Sequence, residues 1–286
     1  MLGVSILCAF ASIPLFVGIA FAVSTNRRAI AWKTVGAGFA VQFAIALVAL
    51  KTPLGTGLFA ILNDAAVFFI RAADHGIDFV FGAWPKHVMG PDGSPVAVPF
   101  VIAVRVLPVI IFMSSIFALL YHWRVLPWVV TGIAWVMRRT MRTSGSETLA
   151  TAANVFMGQT EAPLVVKPYL DGMTRSELMA LMVGGMATIA GGVAAAYASL
   201  GIDAGHLLTA SILSAPGALV IAKLMFPETE KSATADEACE LPKSTAANSI
   251  DALCRGASDG MRLSINVIAM LIAFVALVFM ANSILG

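Results

Sequence analysis

Residues 158–163 read Gly158-Gln159-Thr160-Glu161-Ala162-Pro163, which sets an amide, a hydroxyl and a carboxylate side by side between two short apolar segments. A charge at membrane depth costs several kcal/mol and marks a substrate or ion pathway. Glycine before the trio and proline after it break a helix there. The cluster is therefore expected at the tip of a broken or re-entrant element. Non-helical backbone at that depth is tolerated only where protein buries it or where it lines a wet cavity.

A charge of that kind matters only in a lipid setting, and composition supplies one. The chain is 286 residues, 59% hydrophobic and only 12% charged, with a mean hydropathy of +0.90. That is too apolar for a soluble domain of this size. Residues 3–23 carry no charge and suffice to span a bilayer. Their basic residues follow the apolar run, unlike a signal peptide. Further spans are predicted at 34–50, 98–121, 177–200 and 262–284, with a sixth at 206–225 despite its Pro216-Gly217. Residues 53–96 mix apolar side chains with Asp64, Arg71, Asp74 and Asp78, which suits a helix at the interface, and 91–95 read as a turn. Cys8, Cys239 and Cys254 form no metal pattern, and His75, His87, His122 and His206 lack ligand spacing.

Charge distribution orients the chain. With the N-terminus outside and 145–171 entering and leaving on one side, only Lys51, Arg71 and Lys86 fall outside; most other basic residues gather inside, as the positive-inside rule requires. Ser144 and Glu147 fit a capping box opening a helix over 145–157, with Ser146 as an alternative cap. Such a helix is about 20 Å long, past the midplane but short of crossing. Thr174 and Glu177 form a second capping box for the next helix. That helix carries Gly184-Gly185 and Gly191-Gly192 around Thr188. Small residues there permit close helix packing; alternatively the helix unwinds near Thr188 and frees carbonyls for a cation.

The run from Ala153-Asn154-Val155-Phe156-Met157 through Gln159-Thr160-Glu161-Ala162-Pro163 to Lys167-Pro168-Tyr169 resembles the first re-entrant hairpin of the concentrative nucleoside transporters. Arg105-Val106-Leu107-Pro108, Ile189-Ala190-Gly191-Gly192-Val193 and Ser214-Ala215-Pro216-Gly217 agree, and the bacterial sodium-coupled branch is the nearest in pattern. The resemblance implies symport of a nucleoside with sodium as coupling ion, with no other cofactor. It implies that Gln159, Thr160 and Glu161 grip the base and that Val193 packs on it. It implies sodium ligands from the Asn154 side chain, the Met157 carbonyl, the Thr188 hydroxyl and the Ile189 carbonyl. These are uncharged oxygens, suited to a weakly held monovalent cation. It further implies a homotrimer in a bacterial inner membrane, without nucleic-acid partners.

The expected fold is an all-α polytopic membrane protein with a re-entrant hairpin and a discontinuous helix, the first half of an inverted repeat. Its parts are membrane and interfacial helices over 1–143, the hairpin over 144–171, the broken helix and its successor over 172–226, a cytoplasmic polar loop over 227–261 and a last span over 262–286. The family's second half, which holds the ribose, is missing from these residues, so the chain is expected to be the N-terminal two-thirds of a carrier. Plainer roles stand beside these. Asn154 could bond across helices, Glu161 could pair with a lysine or arginine, and Arg105 could snorkel. Arg138, Arg139 and Arg142 with Trp128 and Trp135 suit a helix on anionic headgroups, while Asp236, Glu237 and Glu240 suit a solvated loop. A scaffold subunit and a membrane enzyme are the rival functions. No nucleophile–base pair lies near Glu161 to support the enzyme.

Overall fold

The computed structural model describes residues 2–82, 87–89, 95–97, 101–159, 162–235 and 239–286. The first helices are α1 (Leu2–Ala22), α2 (Trp32–Lys51) and α3 (Pro53–Phe81). The mixed stretch after residue 53 is thus one 29-residue helix. It ends in an antiparallel pair, β1 (His87–Met89) with β2 (Pro95–Ala97), with Val88 opposite Val96. This pair is the strand pairing among the described residues, and the turn expected at 91–95 falls largely outside them. Then follow α4 (Ile102–Arg105), α5 (Leu107–His122), α6 (Val125–Met141), α7 (Gly145–Asn154), α8 (Ala162–Val165), α9 (Arg175–Ala187), α10 (Gly191–Ser199), α11 (Ala204–Met225) and α12 (Ser249–Leu285). Five described stretches are long and apolar enough to cross a membrane: Trp32–Ala49, Ile102–His122, Arg175–Ser199, Ala204–Met225 and Ser249–Leu285. The chain is an all-α membrane protein, as its hydropathy requires.

The chain divides into two units. The first holds residues 1–59, 127–190 and 208–243. Its core joins Met137 and Met141 of α6, Ala180 of α9, and Ala215, Leu219, Val220 and Leu224 of α11. Gly38 of α2 lets Val220 and Met141 approach so closely that a methyl group there would overlap both. On α6 the buried Leu126, Val130, Met137 and Met141 alternate with the exposed Trp128 and Trp135, the amphipathic face expected for that stretch. Pro216 withholds a donor inside α11, and nearby Gln42 Nε2 donates to the Leu213 carbonyl at 3.1 Å.

The second unit holds residues 60–126, 191–207 and 244–286. The expected span at 98–121 is broken at Val106, and α5 restarts with Pro108 in its first turn, where the missing N–H has no partner to lose. The last helix departs most from expectation. It starts at Ser249, 13 residues before the predicted 262, with Asn248 capping the Asp251 N–H at 2.9 Å. Charge in Asp251, Arg255 and Asp259 disguises this part as loop, yet it winds because Ala252, Gly256, Gly260 and Ser264 form one buried stripe. A methyl group on Gly256 would lie 2.6 Å from the Ser114 carbonyl oxygen, and one on Gly260 would lie 2.7 Å from Ile111 Cα. Such a stripe lets two helices approach backbone to backbone where lipid offers no hydrophobic drive. Ser115 Oγ donates to the Leu253 carbonyl at 2.6 Å and Ser264 Oγ to the Leu107 carbonyl at 3.0 Å, fixing α12 on α5.

Candidate functional site

The polar stretch begins where expected. Ser144 caps α7, and its N–H donates to Glu147 Oε1 at 2.9 Å; Ser146, the alternative cap, lies inside the helix. The whole of α7 is buried. It ends at Asn154, three residues short of the predicted 157, because the Phe156 N–H turns back to the Ala153 carbonyl at 3.1 Å and the Met157 N–H takes that same carbonyl at 2.8 Å. The Ala162 N–H then reaches the Gly158 carbonyl at 3.0 Å. Pro163 occupies the second position of α8, where a proline breaks no helical bond. A 3₁₀ turn over Lys167–Gly172 leads to α9, opened by the second capping box: the Thr174 N–H donates to Glu177 Oε2 at 2.7 Å and the Glu177 N–H to Thr174 Oγ1 at 3.2 Å.

Helices α7 and α9 lie side by side in the same direction. Ser146 Oγ meets Glu177 Oε1 at their starts, 3.2 Å apart. Toward their ends, a methyl group on Gly184 would touch Asn154 Nδ2 at 3.4 Å and Thr151 Oγ1 at 3.5 Å; one on Gly185 would meet Gln159 Cβ at 3.0 Å. The first glycine pair therefore serves packing against the polar turn. Between the pairs the helix does unwind. Thr188 is extended, at φ −115° and ψ 158°, and α10 resumes at Gly191. Gly192 then packs on α5, 3.4 Å from Ile110 and Ser114 for an added methyl. Close packing describes the first glycine pair and an unwound backbone the segment that follows it.

Asn154 is fully buried, and neither its Oδ1 nor its Nδ2 has a hydrogen-bond partner among the described residues. Bonding across helices, its plainer role, is not found among the described residues. A buried amide left in that condition costs about 1–3 kcal/mol per group. Thr188 Oγ1 donates its one proton to the Gly184 carbonyl at 2.9 Å, so its lone pairs remain able to coordinate. Met157 and Ile189 stand half-buried in the non-helical segments flanking these residues, and Gln159 is exposed at the turn. Thr160 and Glu161 lie outside the described residues. Val193 stands half-buried on α10, in the second unit. Among the described residues no group of three His, Cys, Asp or Glu side chains could hold a metal ion.

The polar loop after α11 is more than solvated. Thr234 accepts the Gly145 N–H on its carbonyl at 2.9 Å and the Ser146 N–H on its hydroxyl at 3.3 Å, serving two orphan donors of the first turn of α7. Asp236 and Glu237 lie outside the described residues, and the Glu240 N–H donates to the Tyr169 hydroxyl at 3.2 Å. No local signal in the sequence links Thr234 to Gly145, since 89 positions separate them.

Membrane helices interrupted beside a buried polar group, unpaired among the described residues, are an arrangement found in solute carriers. Comparison with known proteins agrees. Residues 11–84 match the model described as Na+ dependent nucleoside transporter N-terminus, 103–203 the one described as Nucleoside recognition, and 206–286 the Na+ dependent nucleoside transporter C-terminus. The chain is 41% identical to sodium/nucleoside cotransporter 2 of Rattus norvegicus over 98% of its own length and 41% of that protein's. It is 40% identical to an uncharacterized transporter of Haemophilus influenzae, covering 66% of it. The solved structure of CNTnw in an inward-facing substrate-bound state superposes with a TM-score of 0.88 at 39% identity, over 98% of this chain and 68% of that one. The chain belongs to the concentrative nucleoside transporters, a sodium-dependent family of membrane carriers and not of enzymes. It spans about two fifths of the length of the mammalian relatives.

Proposed function

We propose that this chain supplies the base-binding and sodium-binding part of a sodium-coupled nucleoside symporter, one that imports nucleosides such as uridine. The segment from α7 to the 3₁₀ turn is a re-entrant hairpin. Its tip residues Gln159, Thr160 and Glu161 meet the nucleobase, since an amide offers donor and acceptor to a base edge. Sodium sits between the hairpin turn and the break after α9, on the Asn154 side chain, the Met157 carbonyl, the Thr188 hydroxyl and the Ile189 carbonyl. The observation that carries this reading is the fully buried Asn154 amide, without a partner among the described residues and packed on Gly184 one turn before the helix unwinds. Ribose contacts are assigned to the part of the relatives' length that this chain does not span. An N-terminus outside and a homotrimer in a bacterial inner membrane complete the proposal, supported by the basic residues on one side and by the resemblance.

The test uses the protein as its own cell makes it. Uridine uptake is measured in sodium and in choline for the parent, Gln159→Ala and Asn154→Leu. Loss of sodium stimulation in Asn154→Leu and sharply reduced uptake in Gln159→Ala are expected. Parent-like behaviour of both variants refutes the assignment.

A further inference from the structure

Lys223 of α11 is only 7% exposed, and its ammonium meets three oxygens. It contacts Glu147 Oε2 at 2.8 Å, donates to Ser176 Oγ at 2.9 Å and reaches Glu228 Oε2 at 3.3 Å. Glu147 and Glu177 are each 1% exposed and each occupies the third position of its helix, capping α7 and α9 respectively. Glu177 also accepts from Ser146 of α7 and from Ser232 of the polar loop. Thr174 of the second cap donates to Glu228 at 2.8 Å, on the same carboxylate oxygen that Lys223 approaches. The two helix starts are thus tied to each other, to α11 and to the loop by charge-assisted bonds.

At the other end of the same pair, Asn154 and Gly184 meet by packing alone. Glu147 and Asn154 are seven residues apart on one rigid helix, about 10 Å of rise. The axial register set at the charged end is therefore carried to the amide. A buried ion pair adds little net stability, and its best-attested use is to fix register. We propose that Lys223, with Glu147 and Glu177, is a positioning set that holds α7 in register against α9 and so spaces the sodium ligands Asn154 and Thr188. The proposal rests on the sodium-site reading above and adds residues that do not touch the ion.

The experiment measures the sodium concentration for half-maximal uridine uptake, with membrane abundance, in the full carrier. Lys223→Met is expected to raise it about tenfold, the size of effect that outer-shell partners exert on metal affinity, with Lys223→Arg between it and the parent. The double variant Lys223→Met/Glu147→Gln removes the stranded carboxylate. It is expected to recover abundance but keep the raised sodium requirement, which separates positioning from simple stability. A parent-like sodium requirement in the double variant overturns the proposal, including where Lys223→Met alone fails to reach the membrane. Asn154→Leu distinguishes the two levels. If it abolishes sodium dependence while the Lys223 variants behave as the parent, only the positioning role falls. If it leaves sodium dependence intact, the sodium site falls and the positioning role with it.

Discussion

Replacing Gly256 by alanine tests how the small-residue stripe of α12 holds that helix on α5. The added methyl would lie 2.6 Å from the Ser114 carbonyl oxygen and 2.7 Å from both Ser115 Cα and Ala118 Cβ. Two of these three neighbours are backbone, so no side chain can rotate away, and relief requires the helices to part by about 1 Å to restore ordinary carbon contact. The bonds from Ser115 to Leu253, 2.6 Å, and from Ser264 to Leu107, 3.0 Å, would then stretch toward the edge of hydrogen-bonding range. Overpacking costs about 1–3 kcal/mol, and each interhelical bond adds roughly 0.6 kcal/mol. Alanine returns about 1 kcal/mol of helix propensity over glycine. The net is a loss of roughly 1–3 kcal/mol, or about 3–10 °C of melting temperature for the detergent-solubilised protein. Gly260→Ala should behave alike, and the double variant should lose less than the sum, because the first methyl already separates the helices. Gly132→Ala on α6, with open space around it, should melt no lower than the parent. If Gly256→Ala melts at the parent temperature while Gly132→Ala shifts it, close approach does not hold α12 in place.

Asn154→Leu should melt no lower than the parent in sodium-free buffer, since it removes an amide that has no partner among the described residues. Sodium should raise the melting temperature of the parent and leave that of the variant unmoved, by linkage to ion binding. Thr174→Ala loses the cap that accepts the Glu177 N–H and the bond to Glu228. It should destabilise by about 1–2 kcal/mol in a denaturant titration. Gln42→Leu leaves the Leu213 carbonyl without its side-chain donor beside Pro216 and should cost about 0.5–1.5 kcal/mol by the same measurement. Gly217→Ala should cost less, because the methyl would meet only the flexible amide end of Gln42, at 3.1 Å.

The sequence determined the five spans from α2 onward and both capping boxes, because these follow from local rules. A charge-free run must wind into a helix in lipid, and a serine or threonine three residues before a glutamate can close its own cap. Thr188 could be suspected as a break for the same reason, glycine pairs being visible in one dimension. Tertiary structure alone decided what those residues face. Gly184 and Gly185 separate into packing partners for Asn154 and Gln159, while Gly192 serves α5. The start of α12 at Ser249 followed from a buried stripe whose value depends on the backbone of α5 being within reach, which no window of sequence contains. Lys223 and Thr234 looked like an ordinary basic flank and an ordinary loop. Their bonds to Glu147, Ser176, Gly145 and Ser146 join positions 47 to 89 residues apart, and only folding brings such groups into one low-dielectric pocket where each needs the other.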